Sequence, residues 1–136
     1  STLKDIGIEL DINCTADNNS VADDPTAWDV YAMANVQAPT GDPEYWFTVF
    51  ATSDATRNQG KYSSEKLDEL EKELSAEFDT EKRAELAVQM QRTVLDDHAV
   101  VFCSFLKMSM ISQANVTGYE SHACDYYQVT ADLDIN

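Results

Sequence analysis

Residues 63–97 constrain the fold more tightly than any other stretch of the chain. From about Ser64 to Phe78 the apolar residues Leu67, Leu70, Leu74 and Phe78 recur at helical spacing and form one stripe. A second stripe, Leu86, Ala87, Met90 and Val94, runs through residues from about Thr80 to Asp97. Ser63 and Asp79 stand where N-caps belong. Only Asp79 and its neighbours separate the two periodic segments, so the pattern predicts an αα-hairpin with a shared apolar seam. Charges of both signs at helical spacing, such as Glu69 with Lys66 and Lys72, mark the opposite faces as solvated.

The rest of the chain must fit around that hairpin within 136 residues, which is room for one domain. At 43% hydrophobic and 25% charged residues, a core of useful size can form. The charge balance is lopsided: nine Lys and Arg face 25 Asp and Glu, for a net charge of −16. Ten of those acids, against the single base Lys4, fall in residues 1–54. Such a surface repels phosphate backbones and anionic lipid, so nucleic acid is not an expected partner. No apolar run approaches the roughly 20 residues that span a bilayer. There is no basic-then-apolar signal at the start, and Ser1-Thr2-Leu3-Lys4-Asp5 reads as the interior of a longer protein.

Outside the hairpin the pattern changes period. Thr2–Asp5 followed by Gly7 predicts the last turn of a helix with a glycine stop. Ile8, Leu10 and Ile12 alternate with Glu9, Asp11 and Asn13, the period-2 signature of a strand. Trp28–Val36 predicts a second, more buried strand. The turn cluster Pro39-Thr40-Gly41-Asp42-Pro43 leads into an aromatic knot at Glu44–Phe50, expected as a short helix, and a polar loop spans Ala51–Tyr62. Ala99–Ile111 is strand-like throughout and ends towards Gly118, and Val129, Ala131, Leu133 and Ile135 alternate in the tail. The reading is thus α/β: a small mixed sheet packed by an αα-hairpin.

Candidate chemistry is sparse. Asp23-Asp24 before Pro25 reads as a solvated turn, and Asp96-Asp97-His98 as a helix end with His98 against the helix dipole. Asp132 and Asp134 lack the glycine and glutamate of a calcium loop. No metalloprotease, nucleophile-elbow, P-loop or dinucleotide motif occurs. His122 lies two residues from Cys124, too close for a spatially assembled dyad. Cys14, Cys103 and Cys124 form no C-x-x-C pair and are expected as small packing residues. The expectation is a non-enzyme with no cofactor and no metal site. What survives is a dense set of aromatics, among them Trp28, Tyr31, Tyr45, Trp46, Phe47, Phe50, Tyr62, Tyr119, Tyr126 and Tyr127. Those near turns, beside Asn35, Gln37, Asp42 and Asn58, fit the lining of a polar-aromatic cleft.

The order of these elements resembles the C-terminal part of the peptide/nickel-type extracellular solute-binding proteins of ABC importers, solute-binding protein family 5. The resemblance rests on G-D-P followed by aromatics (Gly41-Asp42-Pro43), the loop N-Q-G-K-Y (Asn58–Tyr62), D-x-E-K-R opening the second helix (Asp79–Arg83), and the exit D-D-x-A-V-V (Asp96–Val101). It covers nearly the whole chain. It implies a fragment of one lobe of a type II periplasmic-binding-protein-like fold, with residues 1–112 as lobe core and 113–136 as a tail returning to an N-terminal lobe. It leaves three fates open for that tail here: unpaired, disordered, or exchanged with a neighbour in a homodimer.

The activity implied is capture of a small solute between two hinging lobes and delivery to a membrane permease. Its setting would be extracytoplasmic, in a bacterial periplasm or on a cell-surface lipoprotein. The partners implied are a peptide, nickel or metal-chelate solute, the ABC permease and the first lobe. Asn35–Asp42 and Asn58–Tyr62 are the implied cleft-facing segments, which makes Asn35, Gln37, Asp42, Trp46, Asn58, Tyr62 and His122 the candidate ligand residues. Two features depart from the family pattern. Pro39 occupies the position where peptide binders commonly carry an aspartate for the peptide amino group, and Ala51–Tyr62 lacks the histidine the nickel branch can use. The competing reading is an autonomous acidic protein–protein interaction module, which requires a closed hydrophobic core within these 136 residues.

Overall fold

The computed structural model describes residues 3–16, 18–107, 109–122 and 129–136. In chain order it has a 3-10 turn at Lys4–Ile6, helix α1 (Asn18–Ala22), helix α2 (Glu44–Trp46) widening into a π turn over Phe47–Ala51, and helices α3 (Glu65–Ala76) and α4 (Thr80–Asp96). Strands β1 (Val116–Thr117) and β2 (Asp134–Ile135) follow. The chain divides into two compact units, Ser1–Met33 and Ala34–Asn136.

The second unit is organised by the predicted hairpin. Ser64, one residue later than expected, caps α3: its Oγ accepts from the Leu67 N–H at 3.4 Å. Asp79 caps α4 as expected, accepting from the Lys82 N–H at 3.0 Å. The facing stripes bury Leu67, Leu74, Met90 and Val94 completely, with Leu70 and Ala87 beside them. Trp46, Phe47 and Ala51, from α2 and the π turn, close the same core. Each fully buried large side chain contributes about 2 kcal/mol by leaving water, so this nine-residue cluster dominates the stability of the unit.

At its far end α4 stops in a Schellman arrangement. The His98 N–H bonds the Leu95 carbonyl at 3.1 Å and the Ala99 N–H bonds the Val94 carbonyl at 3.2 Å. His98 takes the left-handed conformation, φ 55°, where glycine is usual. Its Nδ1 lies 2.7 Å from the Asp96 carbonyl. The local cap thus accounts for the Asp96-Asp97-His98 triplet.

Phe78 departs from expectation. One further helical turn would have set it on the stripe four residues after Leu74. Instead α3 ends at Ala76, and Glu77 swings to extended backbone (φ −91°, ψ 133°). Its Oε1 accepts the N–H groups of both Phe78 and Asp79 at 2.9 Å. Local backbone capping therefore wins over periodicity, and Phe78 is left 92% exposed.

The predicted strands differ more. Residues 8–14, 31–36 and 99–107 form neither helix nor strand and carry no sheet ladder among the described residues. Alternation specifies a strand only when a neighbour supplies its hydrogen bonds. Among the described residues the pairing is confined to β1 with β2, antiparallel, with Val116 opposite Ile135 and Thr117 opposite Asp134. The end of the tail therefore folds back on its own chain. Gly118 permits this: at φ 75°, a Cβ there would collide with the Asp132 carbonyl. At the coarse level the molecule is a helix-dominated domain with a small two-stranded sheet.

The first unit is held by local contacts. The 3-10 turn ends at Gly7 (φ 83°), the expected glycine stop. Asp24 accepts from the Thr26 backbone and hydroxyl, and the Trp28 indole N–H donates to the Val21 carbonyl at 3.1 Å. Trp28 and Tyr31 pack at 5.5 Å. Cys14 and Cys103 are exposed free thiols, not the packing residues expected. Neither thiol reaches the buried cluster, which is built from residues 46–94 with Phe50, Tyr62, Leu86, Ala99 and Val100 packed against it. Cys124, Tyr126 and Tyr127 lie outside the described residues.

Candidate functional site

The motifs that open α2 and α4 meet through one side chain, Arg83. Its Nη2 donates to both oxygens of Asp42 and to Glu44 Oε2, each at 2.8 Å. Its Nη1 reaches the carbonyls of Leu74 at 2.6 Å and Glu77 at 2.8 Å, near the end of α3. A planar guanidinium suits this work, because its fixed fork of donors can serve carboxylates and helix-end carbonyls at once. The Arg83 side chain is 18% exposed, against 43% for Asp42 and 27% for Glu44. The pair is thus shielded on one side and open on the other. Asp42 also accepts from the Glu44 N–H at 2.8 Å, which starts α2. That backbone bond holds its carboxyl below the ordinary range; partial burial opposes the shift and Arg83 reinforces it. Arg83 is pushed above its usual value by hydrogen bonds to Glu44 and then Asp42.

A second convergence lies at the other end of the hairpin. Asn58, buried in the loop after the aromatic knot, donates from Nδ2 to the Thr52 and Tyr62 carbonyls at 3.1 and 2.6 Å. Its Oδ1 accepts the Tyr62 N–H at 3.0 Å. Asn58 therefore folds the loop into a closed turn with all its polar atoms used. The Tyr62 hydroxyl then donates to Asp97 Oδ2 at 2.5 Å, tying the loop to the end of α4. Burial, and next this bond to Asp97, raise the Tyr62 pKa above 10.0. Ser53 N–H to Asp68 Oδ1, at 2.9 Å, fastens the same loop to α3.

These contacts sort the seven candidate residues. Trp46 is a core residue, 9% exposed, packed edge-on to Phe47 with ring centroids 5.4 Å apart and against Phe102 at 5.5 Å. Asn58 and Asp42 form the frame. Tyr62 is half-buried against the core beside them. Asn35 is half-buried and Gln37 exposed in the segment before the turn, which closes with the Gly41 N–H on the Ala38 carbonyl at 3.0 Å. His122 belongs to a shallow concavity of about 370 Å³, lined also by Gly118, Tyr119, Glu120, Thr130 and Asp132. The structure thus joins Asp42 to the hairpin and Asn58 to Tyr62, and sets His122 on the surface beside β1 and β2.

Three framing residues escaped the site reading: Glu44, Arg83 and Asp97. All three lie in or directly after the quoted motifs, and Arg83 is one of only nine bases in the chain. A scarce cation inside a motif was the available signal. Among the described residues no three His, Cys, Asp or Glu side chains gather as a metal centre would need. Among them no helix is long and apolar enough to cross a membrane. No family model, no curated protein and no solved structure matches the chain.

Proposed function

We propose that this chain is the C-terminal part of a two-lobed solute-binding protein, which captures a peptide, nickel or a metal chelate and delivers it to an ABC permease outside the cytoplasm. The observation that carries the reading is the convergence of its four motifs. Asp42 of G-D-P is clamped by Arg83 of D-x-E-K-R, and Tyr62 of N-Q-G-K-Y is bonded to Asp97 of D-D-x-A-V-V. Residues that look scattered in sequence act as two clips on one frame. A hinged receptor needs such a frame, because cleft residues must keep their geometry while the lobes move. On this reading Asn35, Gln37, Tyr62 and His122 face the solute. Asp42, Trp46 and Asn58 hold the surface that presents them.

The segment after α4 supports the same reading. From residue 98 to residue 119 the chain has no acid and a single base, Lys107, although acids are abundant elsewhere. Val101, Phe105, Leu106 and Ile111 in this stretch are 80%, 89%, 69% and 92% exposed. An apolar, strand-forming, nearly uncharged segment is built to be covered. A second lobe would cover it. An autonomous acidic module would have to close these residues into its own core, and their exposure weighs against it.

The test is titration calorimetry on the full-length protein with short peptides and with nickel–histidine. One of these is expected to bind at micromolar concentration or below, and this chain alone is expected to bind neither at that level, since half the cleft is missing. Micromolar or tighter binding of either by this chain alone would overturn the proposal.

A further inference from the structure

Two described residues other than glycine hold positive φ, His98 at 55° and Lys61 at 53°. An L side chain is strained there, and glycine or asparagine is the usual occupant. At His98 the Schellman cap of α4 and the ring's contact with the Asp96 carbonyl explain the conformation. Lys61 has no such explanation. Its N–H closes a turn on the Asn58 carbonyl at 3.2 Å, a task glycine performs with less strain. Its side chain is exposed, and among the described residues it makes no ion pair. Buried Asn58 fixes the turn through its bonds to Thr52 and Tyr62, so Lys61 projects from a rigid support. Strain that local structure does not require points to a role for the side chain itself.

Charge gives that position a use. A molecule at −16 repels an anion, so taking one up requires a local cation. Residues 55–64 contain Lys61 and Arg57 and no acid, with Asp54 and Glu65 at the two borders. Of the acids that hold this loop in place, Asp68 accepts from the Ser53 N–H and Asp97 from the Tyr62 hydroxyl. Asn35, Gln37, Tyr62 and His122, which face the solute on the importer reading, include no amine, and Asp42 is engaged by Arg83. We infer that Lys61 is a solute-binding residue whose ammonium takes a carboxylate of the captured molecule, with Arg57 as the second cation of the same loop. The inference rests on the importer reading above and names the chemical group by which this lobe recognises its solute. That carboxylate is the C-terminus of a peptide or belongs to an amino acid that chelates nickel. A point charge on a fixed turn meets it without ordering the backbone.

The experiment is titration calorimetry on the full-length receptor with two acid–amide pairs: trialanine and its C-terminal amide, and nickel–histidine and nickel–histidinamide. The pair that binds identifies the source of the carboxylate. Within it, the parent should take the acid about tenfold more tightly than the amide, as one hydrogen bond between charged groups provides. Lys61→Asn keeps a residue that tolerates positive φ. It should bind acid and amide alike, at the parent's affinity for the amide. Lys61→Arg should retain the preference for the acid. Lys61→Gly should lose it with no fall in Tm, which separates the missing charge from a damaged turn. Equal affinity of the parent for acid and amide overturns the inference, and so does an acid preference that survives Lys61→Asn; either result leaves the receptor reading intact. A receptor that binds neither pair removes both.

Discussion

At the scale of single residues, Arg83 decides most. Five hydrogen bonds converge on its guanidinium, and removing it leaves Asp42 and Glu44 as adjacent like charges and uncaps two carbonyls at the end of α3. Hydrogen bonds to charged groups contribute about 1.5–3 kcal/mol each when well shielded, and the open side of this cluster reduces that figure. Arg83→Ala is therefore expected to lower the Tm measured by thermal denaturation, since two carboxylates lose their cation and two carbonyls lose their donor. The pH dependence has a definite sign. Asp42 is held below its ordinary value near 3.8, so its contribution is complete above that value and is lost as pH falls through the lower folded value. Tyr62 is shifted up from 10.0, so its contribution is complete below that value and is lost as pH rises through the higher folded value. Little of this was legible in the sequence. Arg83 and Asp42 are 41 positions apart, and no periodicity links a turn carboxylate to a helix cation.

At the scale of elements, helices were legible and strands were not, for one physical reason. Helix hydrogen bonds are local, so the stripes of α3 and α4 and the cap at Asp79 carry their own evidence. A strand needs a partner elsewhere, and Ile8, Leu10 and Ile12 alternate without acquiring one among the described residues. The hairpin also shows where local rules compete. Leu74 and Phe78 belong to the same stripe on paper, yet Leu74 is fully buried and Phe78 is 92% exposed because Glu77 ends the helix between them. The two substitutions should separate cleanly in denaturant titrations. Leu74→Ala is expected to cost about 3 kcal/mol through lost burial and a cavity, and Phe78→Ala to stay within about 0.5 kcal/mol. A comparable loss for Phe78→Ala would place its ring inside the core and refute the exposed turn.

At the scale of the whole molecule, the structure contains a well-packed half and an unsatisfied half. The α2–α3–α4 frame buries its apolar stripes and takes Ala99 and Val100 against it, while Val101, Phe105, Leu106 and Ile111 stay exposed in a stretch without acid to keep them solvated. The excess of acid elsewhere, more than half of the −16 lying before residue 55, leaves that stretch the least charged surface of the chain. Both facts follow if this surface is covered by a second lobe in the full receptor. Amide hydrogen exchange tests this most directly, because unpaired extended backbone exchanges fast and laddered backbone slowly. In this chain alone, amides of 65–96 should be protected and those of 99–111 should exchange rapidly; in the full-length protein, residues 99–111 should become protected as well. Strong protection of 99–111 in the isolated chain, or rapid exchange there in the full-length protein, would contradict the account.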